Sequence, residues 1–407
     1  MTTLDPQSQP CSEFVQHEGL LAAEAKLMHV AVRPDRIMVR GEGSYLWDHL
    51  GARYLDFVQG WAVNSLGHAP PEIADALQRQ AALLVNASPA FHNAPQLRFA
   101  RSLADAAGLS RVHFANSGAE ANEAALKLAR KWGRLHRGGA YQVITTEGSF
   151  HGRTLALMAA SGKPGWEALF PPNMPGFVKA PFGDAAALAA LIGSETVAVM
   201  VEPIQGEAGV IVPPEGYLRE LRRLCDEHHL LLICDEVQTG MGRTGTLFAY
   251  QQAGVSPDIL TLGKGLGGGV PISAVLANAR ASCFAPGDQG GTYNGNPLMV
   301  AVANSVFEVV ANEGFLTKVR AAGHYLDQSL QATCSAFGLV MRGRGLLRAL
   351  LLPDDRAERI VRHCFSSGLL LNAPRANVLR LMPSLRVSHA EIDEMVALLD
   401  RALLTSS

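Results

Sequence analysis

The sequence predicts an α/β fold built on a mainly parallel sheet. Five short apolar runs without alternation follow one another between Val112 and Val275. Stretches of helical periodicity, each long enough for a crossover, separate them. Apolar runs of this kind are the pattern of strands buried on both faces. A chain of 407 residues with 48% hydrophobic and 18% charged residues has ample material for such a core.

Taken from the N-terminus, residues 1–35 mix short apolar and polar stretches and predict an arm with a helix over about Ser12–Met28. From Ser44, the segment SYLWDHLGARYLDFV alternates about a turn at His49–Arg53 and predicts a hairpin. The five runs are VHFA at 112–115, YQVITT at 141–146, VAVMVE at 197–202, LLLICDE at 230–236 and DILTLG at 258–263. Glu120–Trp132 and Gly216–His229 are amphipathic helices between them. After Asn296 the pattern changes to longer helices, Pro297–Asn312 and Leu316–Phe337, and then to a short strand–helix–strand region. The expected division is an arm over 1–65 that contributes to a small domain, a large α/β domain over 66–296, and a C-terminal small domain over 297–407.

The bulk composition excludes several classes. Formal net charge is −2 and no Lys/Arg run exceeds two residues, so neither nucleic acid nor an anionic membrane is an expected partner. Six scattered cysteines without a C-x-x-C spacing argue against a disulfide framework or a zinc site. The N-terminus shows no secretory pattern and no stretch approaches the ~20 apolar residues of a membrane span. A cytoplasmic protein is expected. The thirteen histidines show no ligand spacing, so no metal is expected, and His228-His229 reads as a solvated pair. The run Gly263–Gly268 fits G-x-G-x-x-G only formally, without a helix-forming sequence after it.

The chemistry gathers where these runs end. In an open α/β sheet, ligands bind beyond the carboxyl ends of the strands. There stand Asn116-Ser117-Gly118-Ala119-Glu120, the segment Gly148–Arg153, Glu202, Asp235-Glu236 and Lys264. Ser117–Glu120 reads as a capping box, and the helix N-terminus it opens is either just a cap or a phosphate site. Asp235 closes a buried strand, where an unpaired carboxylate is costly. A structural salt bridge or a protonated ring nitrogen would each hold it. Lys264, between a buried strand and a glycine cluster, is poorly explained as a surface charge, and desolvation would free its amine as a nucleophile.

These segments resemble the class III (subgroup II) aminotransferases of fold type I. The resemblance runs from about Gly41 to the end, through FANSGAEANEAALKLAR, SFHGRT, VEPIQGEAGV, LLICDEVQTGMGRTG, TLGKGLGGGVPI, GTYNGNP and VLRLMPSLRVS. It implies a fold type I transferase with a large domain on a seven-stranded-type sheet and a smaller C-terminal α+β domain. It implies pyridoxal 5'-phosphate bound to Lys264 as a Schiff base, with Asp235 on the pyridine nitrogen. Gln238 would approach the ring hydroxyl, and Val237 and Phe150 would cover the two ring faces. Ser117, Gly118 and Ala119 would hold the phosphate, with Thr292 reaching it from the second subunit of a homodimer. Arg153 would bind a substrate carboxylate and Gly291 would border the substrate. Glu202 and Arg380 would form a salt bridge that masks Arg380 in one half-reaction. The implied reaction moves the terminal amine of N-acetyl-L-ornithine to 2-oxoglutarate. Ornithine, succinylornithine and 4-aminobutyrate are rival donors; a racemase or aminomutase, or a non-catalytic cofactor-binding protein, are more distant readings. The sequence departs from the family pattern at Ala119, Ala208, Asn294 and Trp61, the last two beside the implied substrate position.

Overall fold

The computed structural model describes residues 20–406. Positions 12–19 of the helix expected over Ser12–Met28 lie outside them; the described remainder holds a 3-10 turn, Ala22–Lys26. The hairpin is present. Strands β1 (Met38–Glu42), β2 (Tyr45–Asp48) and β3 (Arg53–Asp56) form an antiparallel ribbon, with Leu46 opposite Tyr54.

Seven strands make the central sheet: β4 (Arg111–Ala115), β5 (Gln142–Thr146), β6 (Phe177–Ala180), β7 (Thr196–Val201), β8 (Leu231–Asp235), β9 (Ile259–Leu262) and β10 (Ser273–Ala277). Their order is β4-β10-β9-β8-β7-β5-β6. Only β10 is reversed, antiparallel to both β9 and β4. The other six therefore run one way, and the five runs read from the sequence end on the same side. Strands β6 and β10 are additions to that reading.

Alternate residues of these strands feed two cores. Val143, Met200, Leu231, Ile233 and Ile259 pack with the helix Gly118–His136 on one face. Ile144, Val199, Val201, Leu232, Cys234 and Leu260 join the larger core on the other, with Leu221 and Leu224 of the helix Tyr217–Glu227. Burial on both faces explains why the runs do not alternate.

The C-terminal region carries strands β11 (Val340–Arg344), β12 (Leu347–Leu351), β13 (Leu369–Leu370), β14 (Asn372–Arg375) and β15 (Val378–Leu381). Four of them form an antiparallel sheet in the order β11-β12-β15-β14, while β13 runs parallel to β3 and completes the N-terminal sheet. The N-terminal strands are thus tied to the C-terminal region. Among the described residues, no single helix is long and apolar enough to cross a membrane.

Candidate active site

At the carboxyl ends of these strands lies a cavity of about 280 Å³. Its lining includes Gly118, Ala119, Phe150, Arg153, Glu202, Asp235, Val237, Gln238 and Lys264, which the sequence had singled out. Asn122, His151, Glu207 and Thr239 join them.

The helix N-terminus is built as its capping box requires. Ser117 Oγ accepts from the Glu120 N–H at 3.2 Å, and Glu120 Oε2 accepts from the Ser117 N–H at 2.9 Å. Ser117 itself is exposed and its hydroxyl is committed to the cap. The N–H groups of Gly118 and Ala119 have no acceptor among the described residues and carry the positive end of the helix dipole. A Cβ at Gly118 would sit 2.7 Å from Val237 Cγ1, so only glycine allows Val237 its place.

Asp235 is buried and held by four donors. Asn122 Nδ2 and His151 Nδ1 each lie 2.8 Å from Oδ2, while the Val237 N–H at 3.1 Å and Thr261 Oγ1 at 3.4 Å reach Oδ1. Lys264 begins a 3-10 turn straight after β9 with φ +43°, a left-handed conformation that a lysine adopts only under constraint. Burial pushes its pKa below the usual lysine value; Glu207 opposes this and Arg380 adds to it. A buried amine of lowered pKa is a competent nucleophile and proton carrier.

Phe150 meets the edge of Trp166 with ring centroids 5.6 Å apart. The Arg153 guanidinium lies 5.7 Å from the same indole and the Lys163 ammonium 5.2 Å from it. Trp166 thus supports two expected site residues, a role its isolated position in the sequence does not signal.

One expected pair is not formed. Arg380 Nη1 bonds Glu207 Oε1 at 2.7 Å, not Glu202. Glu202 is turned to the Phe150 N–H, which donates to its Oε2 at 3.0 Å. Burial, and next the charge of Asp235, hold the Glu202 carboxyl well above the usual value. Burial would push Glu207 up as well, but Arg380 and Lys264 hold it below that value. The cause is local: Gln205 pairs with Ile211, and the tight loop between them carries Glu207 to Arg380. Arg380 is completely buried, with Nε on Asn372 Oδ1 at 3.0 Å and Nη1 also near Gln238 Oε1 at 3.5 Å.

Gly291 and Thr292 stand outside this cavity, and Thr292 is exposed. Their segment is tied to the β4 end, where Asn294 Oδ1 accepts from Asn116 Nδ2 at 2.8 Å. Trp61, 54% exposed, rides a turn in which Gln59, Gly60, Trp61 and Ala62 all have positive φ; it too lies outside the cavity.

The residues present fit a phosphorylated pyridine. The Gly118 cradle, the free amides, Asp235 and Lys264 surround one space, and buried Gln238 Nε2 lacks a partner among the described residues. The family model of the class-III aminotransferases matches residues 28–403, so the chain belongs to that family, whose cofactor is pyridoxal 5'-phosphate. Acetylornithine aminotransferase 2 of Bordetella bronchiseptica is 56% identical to it over 92% of this chain and 96% of its own. Two solved structures share the fold: N-acetylornithine aminotransferase of Stenotrophomonas maltophilia K279a (TM-score 0.82, 35% identity, 95% and 98% of the two chains) and ornithine aminotransferase of Toxoplasma gondii ME49 (TM-score 0.90, 34%, 96% and 95%).

Proposed function

We propose that this protein transfers the terminal amine of N2-acetyl-L-ornithine to 2-oxoglutarate, yielding N-acetyl-L-glutamate 5-semialdehyde and L-glutamate in arginine biosynthesis. The observation that carries the reading is the placing of two arginines: Arg153 lines the cavity, open on Trp166, and Arg380 lies buried behind Glu207 of the same lining. The two substrates place their carboxylates at different distances from the reacting carbon. One fixed arginine cannot serve both poses equally; a masked second one can. The relatives named for acetylornithine, at more than half identity, support the donor.

When bound, pyridoxal 5'-phosphate supplies the carbonyl that takes up an amine and a ring that withdraws electrons. Gly118 and Ala119 would bind its phosphate and Asp235 would pair with its ring nitrogen. Val237 and Phe150 would flank the ring, and Gln238 would face its hydroxyl. Lys264 would anchor the cofactor and carry the proton to and from the substrate's reacting carbon. Arg153 orients a substrate carboxylate through its planar fork.

The working form is a cytoplasmic homodimer in which Thr292 and Gly291 serve the second copy's site. Exposed Phe91 (70%) and Tyr293 (64%) lie on neighbouring segments joined by Asn93 Nδ2 to Gly295 O at 3.0 Å, an apolar surface suited to that contact. Ornithine is the second reading of the donor, favoured by the likeness to the Toxoplasma fold. Steady-state rates over a panel of acetylornithine, ornithine, succinylornithine and 4-aminobutyrate with 2-oxoglutarate test it. The highest kcat/KM is expected for acetylornithine; a rival donor roughly tenfold better would overturn the assignment.

A further inference from the structure

Asn122 stands on the buried face of the helix Gly118–His136, among Ala121, Ala124 and Ala125. A buried amide on an alanine face is costly unless its groups are bonded. Both donor positions of Asn122 are used, one on His151 O at 2.7 Å and one on Asp235 Oδ2 at 2.8 Å. The same carboxylate oxygen meets His151 Nδ1, also at 2.8 Å. His151 is fixed at its backbone as well, its N–H donating to Ser161 Oγ at 2.9 Å. Two separate elements, a helix and the loop after β5, therefore converge on one oxygen of Asp235, at the end of β8.

An ionised carboxylate only accepts, so the His151 proton must sit on Nδ1. His151 Nε2 points away from Asp235 and is buried without a partner among the described residues, as is Asn122 Oδ1. Two unsatisfied buried atoms are the cost of aiming both donors at Asp235. Packing alone would be served better by apolar side chains of that size.

We propose that Asn122 and His151 are positioning residues that lock Asp235 toward the cofactor's ring nitrogen and keep that nitrogen protonated. The inference rests on Asp235 being the ring-nitrogen partner. With Oδ2 held from one side and Oδ1 by Val237 and Thr261 from the other, the carboxylate cannot rotate away. Loss of either donor from the helix or the loop frees it.

The test uses holoenzyme reconstituted with pyridoxal phosphate labelled with ¹⁵N in the ring. His151→Phe keeps an aromatic ring and removes the donor; Asn122→Ala removes the other. Each should move the ring-nitrogen resonance toward the unprotonated position and weaken cofactor affinity. Single-turnover rates should fall roughly 10- to 100-fold, as expected for hydrogen bonds to a charged group, with KM for either substrate little changed. His151→Asn, whose amide nitrogen lies near the place of Nδ1, should restore most of the loss, and Asn122→Ala carries the test if His151→Phe does not fold. Variants that lose only thermal stability, with resonance, affinity and rate as in the wild type, would overturn the proposal. Asp235→Asn is the control. If it too leaves the resonance unchanged, the assignment of Asp235 fails; if it alone shifts it, only the role of Asn122 and His151 fails.

Discussion

Arg380 and Glu207 form an ion pair between the C-terminal sheet and the loop after β7, with Nη1 and Oε1 2.7 Å apart. Arg380 belongs to β15 and Glu207 to a loop that follows β7 of the central sheet. Glu207→Ala removes the cover and leaves a buried guanidinium free for a carboxylate. The half-reaction rate with glutamate should rise against that with acetylornithine by about tenfold, the factor of a mask worth ~1.4 kcal/mol. Rapid-mixing absorbance with each donor separately reads this ratio. Glu202→Gln should leave it unchanged, and a shift there instead would restore Glu202 as the mask.

Glu202 carries a pH signature of its own. Its folded pKa lies above its unfolded value of 4.5, because burial disfavours the charge. Its contribution to stability is therefore fully present below the unfolded value and is lost as pH rises through the folded one. Glu202→Gln keeps an acceptor for the Phe150 N–H without the ionisation. Relative to wild type it should gain stability steadily from about pH 4.5 upward, read as denaturant midpoints at matched cofactor loading. A constant difference across pH would show that Glu202 does not resist ionisation.

If Lys264 holds the cofactor as proposed, Lys264→Ala should abolish the yellow absorbance of that linkage and lower transamination by at least ~10²–10⁴-fold, the range of a lost proton-transfer group. Absorbance spectra and initial rates measure both. Wild-type turnover in this variant would remove Lys264 from the chemistry.

Gly133 offers a test of packing. In an open helix, glycine to alanine gains about 1 kcal/mol. Here the added Cβ would stand 1.9 Å from the Ala140 carbonyl oxygen. Gly133→Ala should therefore destabilise, by about 1–3 kcal/mol of overpacking, seen as a lowered denaturant midpoint.

The parts of the fold legible in the sequence were those with a strong local period. The five apolar runs sit in the central sheet because each feeds two cores. Strand β6 escaped because FVKA is short, lies at the sheet edge and carries a lysine. Strand β10 follows so closely on the glycine run at 265–269 that its five residues read as the end of a loop. In the site, Lys264 and Asp235 were legible as residues at the ends of buried strands, and Val237 and Gln238 only through the family resemblance. Which of two glutamates five positions apart meets Arg380 was not. That choice depends on the Gln205–Ile211 bridge, a loop closure with no periodic signal. Asn122 and His151 were hidden for a related reason, since their meaning lies in a shared oxygen on a third element.

Strand β13 pairs Leu369 with Leu55 and Leu370 with Asp56, closing the N-terminal sheet with residues from near the other end of the chain. During synthesis, β3 leaves the ribosome long before its partner exists. Until residue 370 emerges, the β1–β2–β3 ribbon presents an unpaired edge to everything around it. Closure is among the most non-local pairings in this fold, and it cannot precede the synthesis of residue 370. A nascent chain stalled in the central sheet would hold that edge still open.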